Sequence, residues 1–153
     1  MSKIFIIILT SVSVMVPVLA QQSAQDEPVD GPKTRFSPLH IDIDSGRQSL
    51  AAYQFELKVV TGWIKIVGVE GGRHKAFKEA PYYDPAALTK DRIIIAAFNT
   101  GRDLPTKRTR IATVHLQIIG EVEPEYELKL IVAADEEGKE ISAKISYEKG
   151  ESK

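Results

Sequence analysis

The residues from 51 to 59 alternate between apolar and polar side chains, and this pattern constrains the fold more than any other feature of the sequence. Ala51, Tyr53, Phe55, Leu57 and Val59 occupy one phase, and the residues between them are mostly polar. A period of two places the apolar side chains on one face of a β-strand and the polar ones on the other. The segment therefore predicts a strand with one face on a core and one face in water.

Similar short runs recur along the chain, separated by turn-forming residues. The run at 93–98 is apolar on both phases, which predicts a strand buried on both faces. Asp-Glu-Glu-Gly at 135–138 predicts a hairpin turn, and residues 85–88 fit one helical turn. The runs are residues 39–43, 51–59, 63–69, 93–98, 112–118, 126–132 and 141–147. Seven or more strands at this spacing predict an all-β antiparallel β-sandwich, with a closed barrel as the alternative.

The first 35 residues have a different composition from the strand-forming region. Lys3 precedes an apolar stretch that ends in Val-Leu-Ala at 18–20, which is typical of a secretory signal peptide over residues 1–20. The alternative is a membrane anchor, but the stretch falls short of the roughly 20 residues of a spanning helix and contains Pro17. Residues 21–35 are mostly polar and predict a flexible spacer. The domain is expected over residues 36–149.

Charge and cysteine content exclude several classes of protein. The formal net charge is −1, whereas nucleic-acid-binding domains usually carry a basic surplus. There is no cysteine, which excludes disulfides and thiol catalysis and favours a bacterial envelope protein among exported domains. No nucleophile, metalloprotease or phosphate-loop motif occurs. The sequence therefore predicts a non-catalytic protein without a cofactor, and no stable membrane insertion once the signal peptide is removed.

Two segments carry a resemblance to a known group of domains. They are AAYQFELKVVTGWIKIVGVEGG at 51–72 and DRIIIAAFNTGRDLPTKRTRIATVHLQIIG at 91–120. In the second segment a buried strand ends in a polar loop, and the next strand has an Ile-Ala-x-Val-x-Leu pattern. From about residue 37 to residue 146 the order of elements resembles a cohesin-like domain of the cohesin and carbohydrate-binding β-sandwich group. The resemblance implies a jelly-roll-like sandwich and non-covalent binding of a protein module or a polysaccharide.

Two long connections, residues 71–91 and 100–110, contain the candidate binding residues. Long loops in compact domains often carry function, and aromatic and arginine side chains are favoured at interfaces. The alternative is that the aromatic rings pack beneath the loop and fix it to the sandwich edge. The candidate ligand or partner contacts are Phe77, Tyr82, Tyr83, Arg73, Lys78, Arg102 and Arg108.

No metal site is predicted. The three histidines, His40, His74 and His115, lack the spacing of convergent zinc ligands and are expected to be solvated or structural. Asp-Ile-Asp-Ser-Gly at 42–46 has two acids but lacks the remaining ligands of a calcium loop, so a turn is the simpler interpretation. The single tryptophan, Trp63, is predicted to pack in the core, with stacking on a sugar ring as the alternative.

These observations favour an exported binding module, periplasmic or extracellular, that mediates protein–protein interaction at the bacterial cell envelope. The alternative is a polysaccharide-binding module. A structural envelope protein without a soluble ligand is a third hypothesis. An enzyme would need a cleft lined by paired carboxylates or an equivalent catalytic group.

Overall fold

The computed structural model describes residues 31–151. The predicted signal peptide and all but the end of the predicted spacer lie outside these residues. The strands run from residue 34 to residue 149, against the predicted domain bounds of 36 and 149. Their bounds are β1 Thr34–Asp44, β2 Ala52–Thr61, β3 Trp63–Gly71, β4 Tyr82–Tyr83, β5 Arg92–Phe98, β6 Arg108–Ile119, β7 Glu125–Ala134 and β8 Lys144–Lys149.

The eight strands form two separate antiparallel sheets. Sheet A has the order β3-β6-β1-β8, and sheet B has the order β4-β5-β2-β7. Every connection except that between β4 and β5 passes from one sheet to the other, which gives a jelly-roll-like course. The two sheets confirm the predicted antiparallel β-sandwich and rule out the closed barrel. The chain within residues 31–151 has no helix long and apolar enough to cross a membrane.

The core lies between the sheets and is built from the apolar phases of the strands. In β2 the side chains of Tyr53, Phe55 and Leu57 are buried, as the alternation predicted. The hydroxyl of Tyr53 donates to the carbonyl of Ile111 in the opposite sheet at 3.0 Å. This bond satisfies the one polar group that β2 sends into the core, and burial raises the pKa of Tyr53.

The prediction that β5 is buried on both faces was wrong. Ile93 and Ile95 face the core, but Ile94 is 38% exposed and Phe98 is 65% exposed. The reason is architectural: β5 lies between β4 and β2 in a sheet that has a second layer on one face only. The outward side chains of β5 therefore form part of the protein surface.

The predicted hairpin turn forms, but the hairpin is short. Gly138 has a left-handed backbone (φ 77°), and its amide donates to the carbonyl of Asp135 at 3.0 Å. Only Ala134 and Glu140 pair beyond the turn, after which β8 joins β1 in sheet A. The predicted helical turn is also present, as a 3₁₀ turn over Pro85–Thr89.

A surface carboxylate joins the loop between β6 and β7 to two strands of sheet A. Glu123 accepts a hydrogen bond from Nζ of Lys149 at 2.9 Å and forms an ion pair with Arg35. The hydrogen bond from Lys149, supported by Arg35, holds the pKa of Glu123 below its ordinary value. A lowered folded-state pKa contributes stability above the unfolded-state pKa, and that stability is lost as the pH falls through the folded-state value.

We expect Glu123→Gln to lower the free energy of unfolding at pH 7 by no more than about 1 kcal/mol, since the side chain is largely exposed. The difference from wild type should be smaller at about pH 3 than at pH 7, because the wild-type carboxylate becomes protonated as the pH falls through its folded-state pKa. Urea unfolding at both pH values measures this. Glu121→Gln is the control, because Glu121 lies 3.9 Å from Lys33 and both side chains are exposed. A penalty of equal size at both pH values would contradict the electrostatic account.

Candidate functional site

The outer face of sheet B carries a group of exposed apolar side chains. Soluble domains rarely expose a contiguous apolar patch without an interaction role. Tyr82 is 70% exposed and Phe98 is 65% exposed, and the other members are 38–39% exposed. We call this group the sheet B patch; its members are Tyr82, Ile94, Phe98, Ile131 and Val132.

Strand register brings these side chains together. Gln54 of β2 pairs with Ala96 of β5 on one side and with Val132 of β7 on the other. Ala96 also pairs with Tyr82 of β4, so one row of the sheet runs from Tyr82 to Val132. The ring of Tyr82 stacks on that of Phe98 with centroids 6.1 Å apart and planes inclined by 11°. The stacked rings form a rigid, solvent-exposed aromatic surface.

The β7 strand contributes two neighbouring apolar residues through a bulge. The register between β2 and β7 shifts between Gln54 and Phe55, whose partners are Val132 and Leu130. Ile131 is therefore the extra residue, and both Ile131 and Val132 are exposed. β-bulges redirect side chains in this way near functional surfaces.

Charged residues border the apolar patch on the same face. Beside Ile94 a shallow cleft of about 780 Å³ is lined by carboxylates and amines of β2, β5, β7 and the segment before β5. Arg92 forms an ion pair with Glu56 at 3.3 Å. An apolar centre with a charged border is the usual composition of a protein-binding surface. The charged lining residues are Glu56, Lys58, Asp84, Lys90, Asp91, Arg92, Glu127 and Lys129.

The three aromatic residues predicted as contacts lie in different environments. Tyr82 belongs to the sheet B patch. Tyr83 is half-buried and packs against the core. Phe77 is 3% exposed and meets the ring of Tyr53 edge-on at 5.1 Å. Its place on a binding surface is therefore corrected: Phe77 is buried and anchors the long loop to the sandwich, together with the partly buried Tyr83 and Leu88.

Backbone contacts fix the rest of the long loop. The amide of Gly72 donates to the carbonyl of Phe77 at 2.6 Å, and Asn99 donates to the carbonyl of Ala76 at 2.9 Å. Nδ1 of His74 accepts from the amide of Ala76 at 3.2 Å and caps a short 3₁₀ turn. The loop is thus packed against the sandwich edge, and Tyr82 is the aromatic residue that it presents to solvent.

The basic candidates do not gather around Tyr82. Arg73 and Arg108 line one cleft on sheet A, where Arg108 is bonded to Asp42. Lys78 and Arg102 are exposed, and within residues 31–151 their side chains make no hydrogen bond or ion pair. Their proposed contact role stays a prediction.

Trp63 is not in the core, contrary to the prediction. It is 80% exposed. Gly62, with a left-handed backbone (φ 84°), turns the chain from sheet B into sheet A, and Ile64 and Ile66 then face inward. The phase of β3 therefore places Trp63 on the outer face of sheet A, where Phe36 (50% exposed) also lies. Phe36 of β1 pairs with Gln117 of β6, and Gln117 pairs with Lys65 of β3. Gln117 and Lys65 therefore lie between the two rings.

The histidines and the acidic turn have structural partners. Nδ1 of His40 lies 3.2 Å from Oγ1 of Thr113. Nε2 of His115 lies 3.2 Å from a carboxylate oxygen of Glu70 but forms no hydrogen bond within the described residues. Asp44 accepts from the amide of Gly46 at 2.9 Å, as expected for a turn. Among residues 31–151, no three His, Asp or Glu side chains are placed to hold one metal ion.

Sequence reasoning missed four of the five members of the sheet B patch. Ile94 and Phe98 were assigned to a fully buried strand, and Ile131 and Val132 were treated as ordinary members of an alternating strand. The sequence did contain a signal for β5. Residues 92–98 lie between charged Asp91 and polar Asn99, and a run of this length fits a strand with one exposed face as well as a strand buried on both faces. No local signal marks the bulge at Ile131.

Comparison with solved structures finds a fold relative. A chain of the crystal structure of a complex between CaCohA2 and a variant of CaDoc0917, at pH 5.5, matches with a TM-score of 0.53 and 11% sequence identity. The match covers 73% of this chain and 84% of that chain. No protein-family model matches this chain, and no curated protein matches it by sequence. At this identity the likeness shows the fold, which is a β-sandwich of the cohesin-like type.

Proposed function

We propose that this protein is an exported, non-catalytic module that binds a protein partner through the sheet B patch. The observation that carries the proposal is the exposed, stacked pair of Tyr82 and Phe98, which shares the outer face of sheet B with Ile94, Ile131 and Val132. Aromatic side chains at the centre of an interface bury a large area and lose little conformational entropy. The cohesin-like fold relative, which was crystallised within a complex, supports the same class of function.

The experiment is affinity capture from the envelope and secreted fractions of the source organism, with residues 21–153 as bait. Three baits are compared: wild type, Tyr82→Ala/Phe98→Ala, and Trp63→Ala. Trp63→Ala is the matched control, because it also removes an exposed aromatic ring but from the opposite sheet. All three should unfold at similar temperatures, since exposed substitutions usually change stability by no more than about 0.5 kcal/mol.

The expected result is a protein captured by wild type and by Trp63→Ala and lost with Tyr82→Ala/Phe98→Ala. Equal capture by all three folded baits would place binding away from the sheet B patch. The absence of any protein specific to the folded domain would contradict a protein-binding function and would favour the polysaccharide hypothesis. The same experiment tests whether the protein acts at the bacterial cell envelope, because it shows in which fraction the native chain and its partner are found.

A second candidate function, binding of a polysaccharide, is favoured by the exposure of Trp63. Aromatic rings on a sheet face bind the apolar faces of sugar rings, and polar side chains such as Gln117 and Lys65 supply hydrogen bonds. If this function is present, Trp63→Ala should abolish retention in affinity electrophoresis while Tyr82→Ala/Phe98→Ala leaves it unchanged. Retention by neither wild type nor variants across neutral and acidic glycans would remove this candidate.

A further inference from the structure

Sheet A has a polar cleft that lies apart from the sheet B patch. It occupies the end of the sheet where β1 leads into β2, and its volume is about 320 Å³. Three arginines and two carboxylates contribute to its walls. The lining residues are Asp42, Arg73, Arg108, Thr109, Arg110 and Glu148.

A β-bulge places Arg110 in this cleft. Ile41 of β1 pairs with Ala112 of β6, but the next residue, Asp42, pairs with Arg110. Ile111 is the extra residue and is fully buried. The bulge thus keeps Ile111 in the core and directs Arg110 to the outer face beside Asp42.

The charges in the cleft do not balance. Arg108 lies 3.2 Å from a carboxylate oxygen of Asp42 and 3.5 Å from one of Glu148. Arg110 lies 3.6 Å from the other oxygen of Glu148. Within residues 31–151, no carboxylate lies within 4.0 Å of the guanidinium of Arg73. Among the lining residues three guanidinium groups face two carboxylates. Asp44, which pairs with Arg108 in the register, acts on Arg108 from outside the lining, so the unbalanced positive charge lies with Arg73 and Arg110.

Arg110 also has unused hydrogen-bonding capacity. Its side chain is 13% exposed, and its Nε is buried without a hydrogen-bond partner in the described part of the chain. The contact with Glu148 is too long for a hydrogen bond. A buried N–H without a partner is unfavourable, and a small shift of the Arg110 side chain would let a ligand oxygen reach it.

We propose that the cleft binds the carboxylate of a ligand between Arg73 and Arg110. A carboxylate carries one negative charge, which matches the unbalanced positive charge, whereas a phosphate carries close to two at neutral pH. The planar guanidinium matches the two oxygens of a carboxylate. Carboxylates are also the anions that the cleft already holds, in Asp42 and Glu148.

His40 lies beside the cleft and offers a measurable reporter. Burial, followed by the positive charges of Arg110 and Arg73, holds the pKa of His40 below its ordinary value, while Asp42 and Glu148 act in the opposite direction. A carboxylate bound to the two arginines would offset their charge. The pKa of His40 should therefore rise when the cleft is occupied.

The test is an NMR titration of the folded protein with sodium glucuronate and with N-acetylglutamate, with glucose as the uncharged control. We expect saturable shifts of the Arg110 Nε–H resonance, a rise in the pKa of His40, and no response to glucose. Arg73→Gln should weaken binding about tenfold, which corresponds to loss of a charged hydrogen bond. Arg47→Gln, which removes an exposed guanidinium that does not line the cleft, should leave affinity unchanged.

Comparison of glucuronate with N-acetylglutamate shows which kind of ligand supplies the carboxylate. Tighter binding of glucuronate assigns it to an acidic glycan, and tighter binding of N-acetylglutamate assigns it to an acidic peptide. Equal affinity of wild type and Arg73→Gln, or binding of sulfate with no response to either carboxylate, would overturn the proposal. Arg73 is exposed, so the Arg73→Gln variant should fold even if replacement of the buried Arg110 does not.

Discussion

Tyr82→Ala/Phe98→Ala is expected to weaken binding of the captured partner by at least about 30-fold, which corresponds to about 2 kcal/mol. The two rings are the most exposed members of the sheet B patch, and they stack on each other with centroids 6.1 Å apart. Because each ring holds the other in place, the effects of the single substitutions should not add to that of the double variant. Titration calorimetry with the two single variants, the double variant and Trp63→Ala measures this.

The direction of that non-additivity is informative. If the rings act as one surface, either single substitution should remove most of the affinity. Strictly additive effects would mean that the rings contact the partner independently. An affinity within about twofold of wild type for the double variant would remove both rings from the interface.

Gly72→Ala is expected to lower the free energy of unfolding by about 2–4 kcal/mol. A Cβ at this position would collide with the carbonyl oxygen of Arg110 and would lie 2.8 Å from Cα of Ile111, both in the backbone of β6. The chain after β3 would have to move away, which breaks the bond from the amide of Arg73 to the carbonyl of Arg110 (3.0 Å). Overpacking costs about 1–3 kcal/mol, and the lost hydrogen bond adds about 0.5–1.5 kcal/mol.

Gly68→Ala is the matched control for that variant. Gly68 lies earlier in the same segment, within β3, and a Cβ there has nothing within 4 Å, so stability should change by less than about 0.5 kcal/mol. Thermal unfolding should show a midpoint about 10 °C lower for Gly72→Ala. Equal midpoints for the two variants would contradict the close approach of this segment to β6.

The sandwich could be predicted from the sequence because each sheet is covered on one face only. Under that condition the side-chain alternation of β2, with Phe55 inward and Glu56 outward, records burial directly. The same condition explains the error in β5. A continuous apolar run was interpreted as burial on both faces, but Ile94 and Phe98 face solvent because no layer covers them.

The candidate sites were harder to predict because they depend on register between distant strands. Trp63 was expected in the core on the basis of its residue type, but the phase of β3 is set by Gly62 and by the inward Ile64 and Ile66. Arg110 reaches the sheet A cleft through a bulge defined by its pairing with Asp42, which lies far away in the sequence. The position of Trp63 had a local signal, since polar Lys65 shares its phase, whereas the bulge at Arg110 has no local sequence signature.

Hydroxyl-radical footprinting of the domain, free and bound to its captured partner, tests the central claim most directly. It reports the accessibility of Tyr82, Phe98, Trp63 and Phe36 in one experiment, so the two sheets serve as controls for each other. We predict that oxidation of Tyr82 and Phe98 falls in the complex while that of Trp63 and Phe36 is unchanged. Protection of Trp63 and Phe36 with Tyr82 and Phe98 still fully reactive would contradict binding through the sheet B patch.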